Sequence, residues 1–196
     1  MNILEKQEKF QNEARILLNE IGLIGFLSTI GEVKIVGSFA LGLMTRTDVD
    51  IDVGVSEIKD SDYFNTITHL FKNQKVKKLI LADNRFLSKD LVVRGIPKSL
   101  YLGVYVENNK TLWNIDIRFV LLGDLRADKY TEKIKSKLND TIKEKILRIK
   151  AIICLNPHYL SKEVSSVDIY SAVLDKNVQD IEGFKIYLAN KGIHID

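Results

Sequence analysis

The run from Asp48 to Val53, DVDIDV, constrains this chain more than any other stretch. Acidic residues alternate with β-branched ones, and on a strand successive side chains point to opposite faces. Val49, Ile51 and Val53 therefore face a core, and Asp48, Asp50 and Asp52 share the other face. Three like charges on one face cost energy unless a cation neutralises them, and hard divalent ions such as magnesium take oxygen ligands of this kind. Upstream, Glu32 to Val36 reads as a short strand running into Gly37-Ser38, a small-residue corner separated from Asp48 by a spacer of nine residues.

The remaining pattern supplies a scaffold. Ile3, Phe10, Ala14, Leu17, Leu18 and Ile21 recur at helical spacing, and Gly22 stands where a helix C-cap would. Asp60 or Ser61 can cap a helix through Phe71 that turns Phe64, Ile67, Leu70 and Phe71 inward. KVKKLILAD reads as a strand. SLYLGVYVENNKTLWNIDIRFVLL reads as a β-hairpin whose arms join at Asn108, Asn109 and Lys110. On its second arm Leu112, Asn114, Asp116 and Arg118 share a face opposite Trp113, Ile115, Ile117 and Phe119, and Arg118 is placed to pair with Asp116. If this arm neighbours the Asp48–Val53 strand, the acids converge.

From about Arg126 the chain turns lysine-rich. KYTEKIKSKLNDTIKEKILRIKAIICL carries Ile134, Leu138, Ile142, Ile146, Ile149 and Ile153 every three to four residues until Pro157 stops it. The lysines at 133, 135, 137, 143, 145 and 150 read as the wet face of that helix. Two shorter helices follow, near SSVDIYSAVL and DIEGFKIYLANKG. The expected division is 1–125 as core and 126–196 as a C-terminal helical segment.

At 196 residues with 45% hydrophobic content the chain can bury one sizeable core. A net charge of +3 with interleaved signs is too small to argue for nucleic acid, which is disfavoured as a partner. Cys154, alone in an apolar run, reads as a buried small hydrophobe, which excludes an internal disulfide framework. His69, His158 and His194 lack metal-ligand spacing and read as surface. No signal-peptide apolar core or membrane-length apolar run occurs, so the expectation is a cytoplasmic protein with no membrane partner.

A Gly-Ser turn, a nine-residue spacer, an Asp-x-Asp strand and a later Asp on a hairpin strand together resemble the nucleotidyltransferase superfamily of DNA polymerase beta, including its small antibiotic-modifying and minimal members. The resemblance covers roughly residues 30 to 120. An exposed strand can also carry alternating aspartates as a guard against aggregation, but the Gly-Ser pair at this distance weighs against that alternative. The resemblance implies an α/β (α+β) fold with a mixed, mainly antiparallel sheet and flanking helices. It implies transfer of a nucleoside monophosphate from a nucleoside triphosphate (ATP or another NTP) to a hydroxyl, with pyrophosphate released.

By resemblance Asp48, Asp50 and Asp116 hold two magnesium ions, Gly37 lets the backbone approach the triphosphate, and Ser38 meets phosphate oxygens. Asp50 and Asp52 form an alternative register for the metal pair, and Thr47 ahead of Asp48 favours the first. The implied acceptor is a small-molecule hydroxyl such as an aminoglycoside or lincosamide. A partner protein, as in antitoxin-like adenylylation, and a catalytically silent nucleotide-binding module are the alternatives. Arg46, Arg85, Arg94 and Lys98 are candidate phosphate or base contacts. Tyr63, Tyr101, Tyr105 and Trp113 read as core residues rather than base-stacking platforms.

Overall fold

A computed structural model describes residues 1–86, 98–125, 131–161 and 163–195. The chain opens with α1 (Ile3–Glu20), started by a reciprocal cap in which Asn2 accepts from the Glu5 amide and Glu5 accepts from the Asn2 amide. Ile21 closes it, and Gly22, left-handed at φ 63°, turns directly into a short helix α2 (Leu23–Ser28) that the sequence pattern does not announce. Then come β1 (Glu32–Val36), a short α3 (Gly37–Leu41), β2 (Asp48–Val55), α4 (Asp60–Phe71) and β3 (Val76–Asp83). Lys59, not Asp60 or Ser61, occupies the N-cap of α4, and both acidic residues of its first turn, Asp60 and Asp62, lie inside the helix.

β4 (Leu100–Asn108) and β5 (Thr111–Leu121) form the expected hairpin. Asn109 and Lys110 carry it at φ 50° and 63°, the two left-handed residues of a type I′ turn. The five strands lie in the order β1-β2-β5-β4-β3, antiparallel except for the central parallel pair of β2 and β5. The sheet is therefore mixed and mainly antiparallel, as the resemblance implies. β2 sits next to the hairpin's second arm, and that placement brings the acids together.

The C-terminal helices are more broken than their periodicity suggests. The single long lysine-rich helix is instead α5 (Glu132–Lys135) and α6 (Asp140–Ile153), because Asn139 accepts from the Ile142 amide and starts a new helix. Pro157 begins a further turn, α7 (Pro157–Leu160), at a position where its missing N–H costs nothing. α8 (Ser166–Lys176) and α9 (Ile181–Ala189) follow. The start of this segment at Arg126, like Arg94, lies outside the described residues.

Two apolar clusters hold these pieces. The first joins Val49, Ile51 and Val53 with Trp113, Ile115 and Ile117 under α1, α2 and α4. The second gathers Ile146, Ile149, Ile169 and Phe184 around Leu41 and Leu43, with Ile3 and Leu4 of α1 against it. At about 25 cal/mol per Å² of apolar surface removed from water, such clusters dominate the stability of a domain. Cys154 is buried, with Thr45 Oγ1 3.4 Å from its sulfur. No helix among the described residues is long and apolar enough to cross a membrane.

Candidate active site

The parallel register sets the acids. Asp48 lies opposite Asn114, Asp50 opposite Asp116 and Asp52 opposite Arg118. A cavity of about 440 Å³ opens over this face, lined by Gly37, Ser38, Asp48, Asp50 and Asp116 together with Arg46, Arg118, Lys150, Tyr159, Ser166 and Tyr170. Gly37 stands at φ 67°, and a Cβ there would collide with Asp50 Oδ2, so only glycine lets that carboxylate reach the end of β1. Ser38, expected at a corner, is buried in the first turn of α3 and lines the cavity.

The three acids of β2 do not behave alike. Asp52 is 0% exposed, accepts from Arg118 Nε at 3.2 Å and does not line the cavity. The same guanidinium donates to Asp50 Oδ1 at 3.0 Å, so Arg118 links Asp50 and Asp52 and does not pair with Asp116 as its spacing suggested. Arg46 Nε donates to Asp48 Oδ2 at 3.0 Å, and the guanidinium lies 5.5 Å from the Tyr159 ring. Two guanidiniums thus offset much of the repulsion that the alternating aspartates create.

Asp116 is held differently. Tyr101 Oη donates to its Oδ1 at 2.7 Å and Asn114 Nδ2 donates to the same oxygen at 3.0 Å. Burial, reinforced by Asp116, pushes the Tyr101 phenol well above its usual range, so it stays a donor throughout neutral pH. Gly103, the direct partner of Asp116 across the hairpin, makes this possible: a Cβ there would lie 2.7 Å from the Tyr101 hydroxyl oxygen. Tyr101, read as a core residue, is therefore part of the site. The turn at Asn109-Lys110 fixes the register, and counting back from it sets Gly103 opposite Asp116 and Tyr101 opposite Arg118.

Lys150 is the second residue that pattern reading missed. Assigned to the wet face of its helix, it is only 2% exposed, donates to the Leu43 carbonyl at 3.0 Å and lines the cavity. Its spacing from Ile146 and Ile153 places it on the apolar stripe, where a lysine is costly without a purpose. Tyr170 closes the cavity from α8, its phenol raised by burial and by the facing Asp48 and Asp50 charges. Other candidates lie elsewhere. Arg85 pairs with Asp60 and Asp83, Lys98 is exposed, Trp113 is core, and Tyr63 donates to the Tyr101 carbonyl. His69 stacks on Phe26 with centroids 4.1 Å apart, His158 contacts Glu163, and His194 is exposed.

The donor chemistry suits a hard divalent cation. Asp48 Oδ1 is buried without a hydrogen-bond partner, and all three cavity acids offer carboxylate oxygens on rigid strands. With Arg46 and Arg118 engaged as they are, no three acidic, histidine or cysteine side chains among the described residues converge closely enough to ligate an ion as placed.

No family model matches the sequence, and no curated protein matches it at a significant level. Among solved structures the chain resembles the Cid1 poly(U) polymerase with magnesium and 3′-dATP bound, at 17% identity and a TM-score of 0.59 over 85% of this chain and 49% of that one. It also resembles a cytoplasmic RNA terminal U-transferase, at 18% identity and TM-score 0.55 over 85% of this chain and 47% of that one. A third is the polymerase core of TRAMP, an RNA surveillance complex, at 12% identity and TM-score 0.53 over 95% and 59%. The chain spans about half the length of these structures. Their likeness shows that this chain shares the fold of these structures over most of its length.

Proposed function

We propose that this chain is a magnesium-dependent nucleotidyltransferase that moves a nucleoside monophosphate from a nucleoside triphosphate to a hydroxyl and releases pyrophosphate. The observation that carries this reading is the direct opposition of Asp50 and Asp116 on parallel strands, with Asp48 two residues away and Gly37-Ser38 lining the same cavity. Asp48, Asp50 and Asp116 would hold the metal. Asp48/Asp50 is preferred to Asp50/Asp52 as the pair on β2, because Asp52 is enclosed and bound by Arg118. Held by these residues, magnesium would supply charge neutralisation at the phosphates and would acidify the acceptor hydroxyl.

The chain's own residues do the rest. Gly37 lets phosphate oxygens approach the backbone, Ser38 donates its hydroxyl, and Lys150 supplies a positive charge already placed in the cavity wall. The acceptor oxygen bonds to the α-phosphorus as the bond to the β-phosphate oxygen breaks, and the acceptor's proton passes to Asp116. Tyr101 and Asn114 hold that carboxylate in one orientation for the transfer. Within this proposal residues 1–125 carry the chemistry, and the helices of 126–196 shape the nucleotide and acceptor side. A cytoplasmic site of action, where nucleotides and magnesium are plentiful, belongs to the same proposal.

The acceptor we favour is a small-molecule hydroxyl, an aminoglycoside or lincosamide among the candidates. A second reading, an RNA 3′ end, is favoured by the solved neighbours, whose names describe poly(U) polymerase and RNA U-transferase activities. Protein adenylylation and a silent nucleotide-binding module are weaker alternatives. A pyrophosphate-release assay with each ribonucleotide and magnesium, run against pooled antibiotics, small polyols and short RNA, tests the reading. One nucleotide and acceptor pair should turn over with the wild type and fail with Asp48→Ala and Asp50→Ala. Nucleotide binding indifferent to magnesium and to both substitutions overturns the assignment.

A further inference from the structure

The sheet ends on β3, and among the described residues no strand pairs with its outer edge. Asn84 donates to the Ser99 carbonyl at 2.8 Å, which extends the β3–β4 register by one pair. Hydrogen-bonded pairs alternate along an antiparallel ladder, so Lys78, Ile80 and Ala82 bond to β4, while Leu79, Leu81 and Asp83 turn their N–H and C=O groups outward. Such an edge is a template for another strand, and proteins guard it with charge, shortness or bulges. The opposite edge, β1, is guarded: it has five residues, and Lys34 pairs with Glu32 at 2.8 Å along it. On β3 the lysines and the bulge are confined to Val76–Lys78, and the stretch from Leu79 to Ala82 carries no charge.

The flank of this edge is apolar as well. Phe64 of α4 and Leu81 of β3 line one hollow and are 58% and 51% exposed. Phe71, two turns along the same stripe of α4, is 80% exposed. Single exposed apolar residues need no explanation, but a row of them beside an open strand edge marks an interaction surface.

The strand is complementary to itself. Outward groups must meet outward groups, so in an antiparallel pair of β3 strands Leu79, Leu81 and Asp83 face odd-numbered residues of the other copy. Centred on Ile80, the pairing sets Leu79 against Leu81 and Lys77 against Asp83, each twice by symmetry. A slip of two residues one way sets Leu79 against Asp83 and Lys77 against Arg85; the other way it sets Lys77 against Leu81. Only the Ile80 register matches apolar with apolar and opposite charge with opposite charge.

We propose that β3 is the interface of a two-fold homodimer, in which the β3 of a second copy pairs with it antiparallel about Ile80 and joins the two sheets into one. The two-fold axis of such a pair stands perpendicular to the sheet, so α4 of each copy lies on the same face and the Phe64 and Phe71 stripes flank the seam together. Lys77 and Asp83 set the register more than the affinity, because each is exposed and already has a partner in its own chain, Glu107 and Arg85 respectively. β4 separates β3 from β5 and its Asp116, so both cavities stay open and the dimer is independent of what they bind.

Sedimentation velocity on the full chain over a concentration series tests the interface. The wild type should dimerise, and Leu81→Lys should weaken the dimer at least tenfold, to about 1.4 kcal/mol or more less favourable. Leu81→Pro should do the same while circular dichroism stays that of the wild type, since the N–H it removes faces outward and not toward β4. Lys77→Glu and Asp83→Lys each place like charges opposite one another twice and should weaken the dimer about fivefold or more, whereas the double variant should return to within about threefold of wild type. Magnesium-ATP binding by calorimetry should be the same in all of these variants. A wild type that is monomeric at about 100 μM overturns the dimer. A dimer that neither Leu81 variant weakens forms on another surface and overturns the assignment to β3, and a double charge variant weaker than both singles overturns the register about Ile80.

Discussion

Asp48 and Asp52 point to the same side of one strand, yet the protein treats them as different chemical objects. Asp52 is sealed in with Arg118, while Asp48 keeps a buried oxygen without a hydrogen-bond partner at the cavity wall. Alternation puts both on one face, but it does not say which end of the strand a neighbouring arginine covers. Asp52→Asn should therefore act mainly on folding. It weakens a buried charge-assisted pair at a cost of about 2 kcal/mol, readable by urea denaturation, and lowers turnover far less than Asp48→Asn does. The reverse ranking in turnover moves the metal pair to Asp50 and Asp52. Asp116→Asn should lose about a thousandfold in kcat while nucleotide affinity stays within a few-fold, because a proton acceptor acts in the transition state rather than in binding. Near-normal kcat in that variant removes Asp116 from the chemistry.

At the scale of elements, the parts legible in the sequence were those written in local chemistry. The hairpin followed from two alternating runs and a polar turn, and α1 from its spacing. What stayed illegible depended on partners distant in the chain. Nothing local marks Arg118 as the clamp of β2, and the lysine-rich stretch hid both the break at Asn139 and the inward turn of Lys150. Tyr101 was recoverable once the hairpin register was counted, since Gly103 leaves the space its hydroxyl uses. The turn itself carries a local strain. Lys110 sits at φ 63°, a region that costs a non-glycine residue roughly 1 kcal/mol. Lys110→Gly should raise stability by up to about that amount, and a thermal or urea midpoint that falls instead contradicts the type I′ assignment.

Across the whole molecule, the acids sit on the polar face of a sheet whose other face anchors the first apolar cluster, with helices of the second cluster closing the cavity. A ligand bound there touches both sides, so occupancy should register as global stability. Magnesium-ATP at a hundred times its dissociation constant should raise the melting temperature by roughly 5–10 °C in the wild type, and by far less in Asp48→Ala. An equal rise in both argues that the nucleotide binds elsewhere. The parallel seam between β2 and β5 has a further consequence, for the order in which the chain assembles. β4 finds β5 across a two-residue turn, a search completed in microseconds, whereas β2 must close a loop that contains α4, β3 and β4 before Asp50 meets Asp116. Non-local pairing of this kind is slow to form, so a nascent or refolding chain presents a finished hairpin with an unpaired β5 edge, open to the wrong strand, for longer than any other part of the sheet. The edge that seats Asp116 beside Asp50 is thus also the one on which misassembly competes with folding.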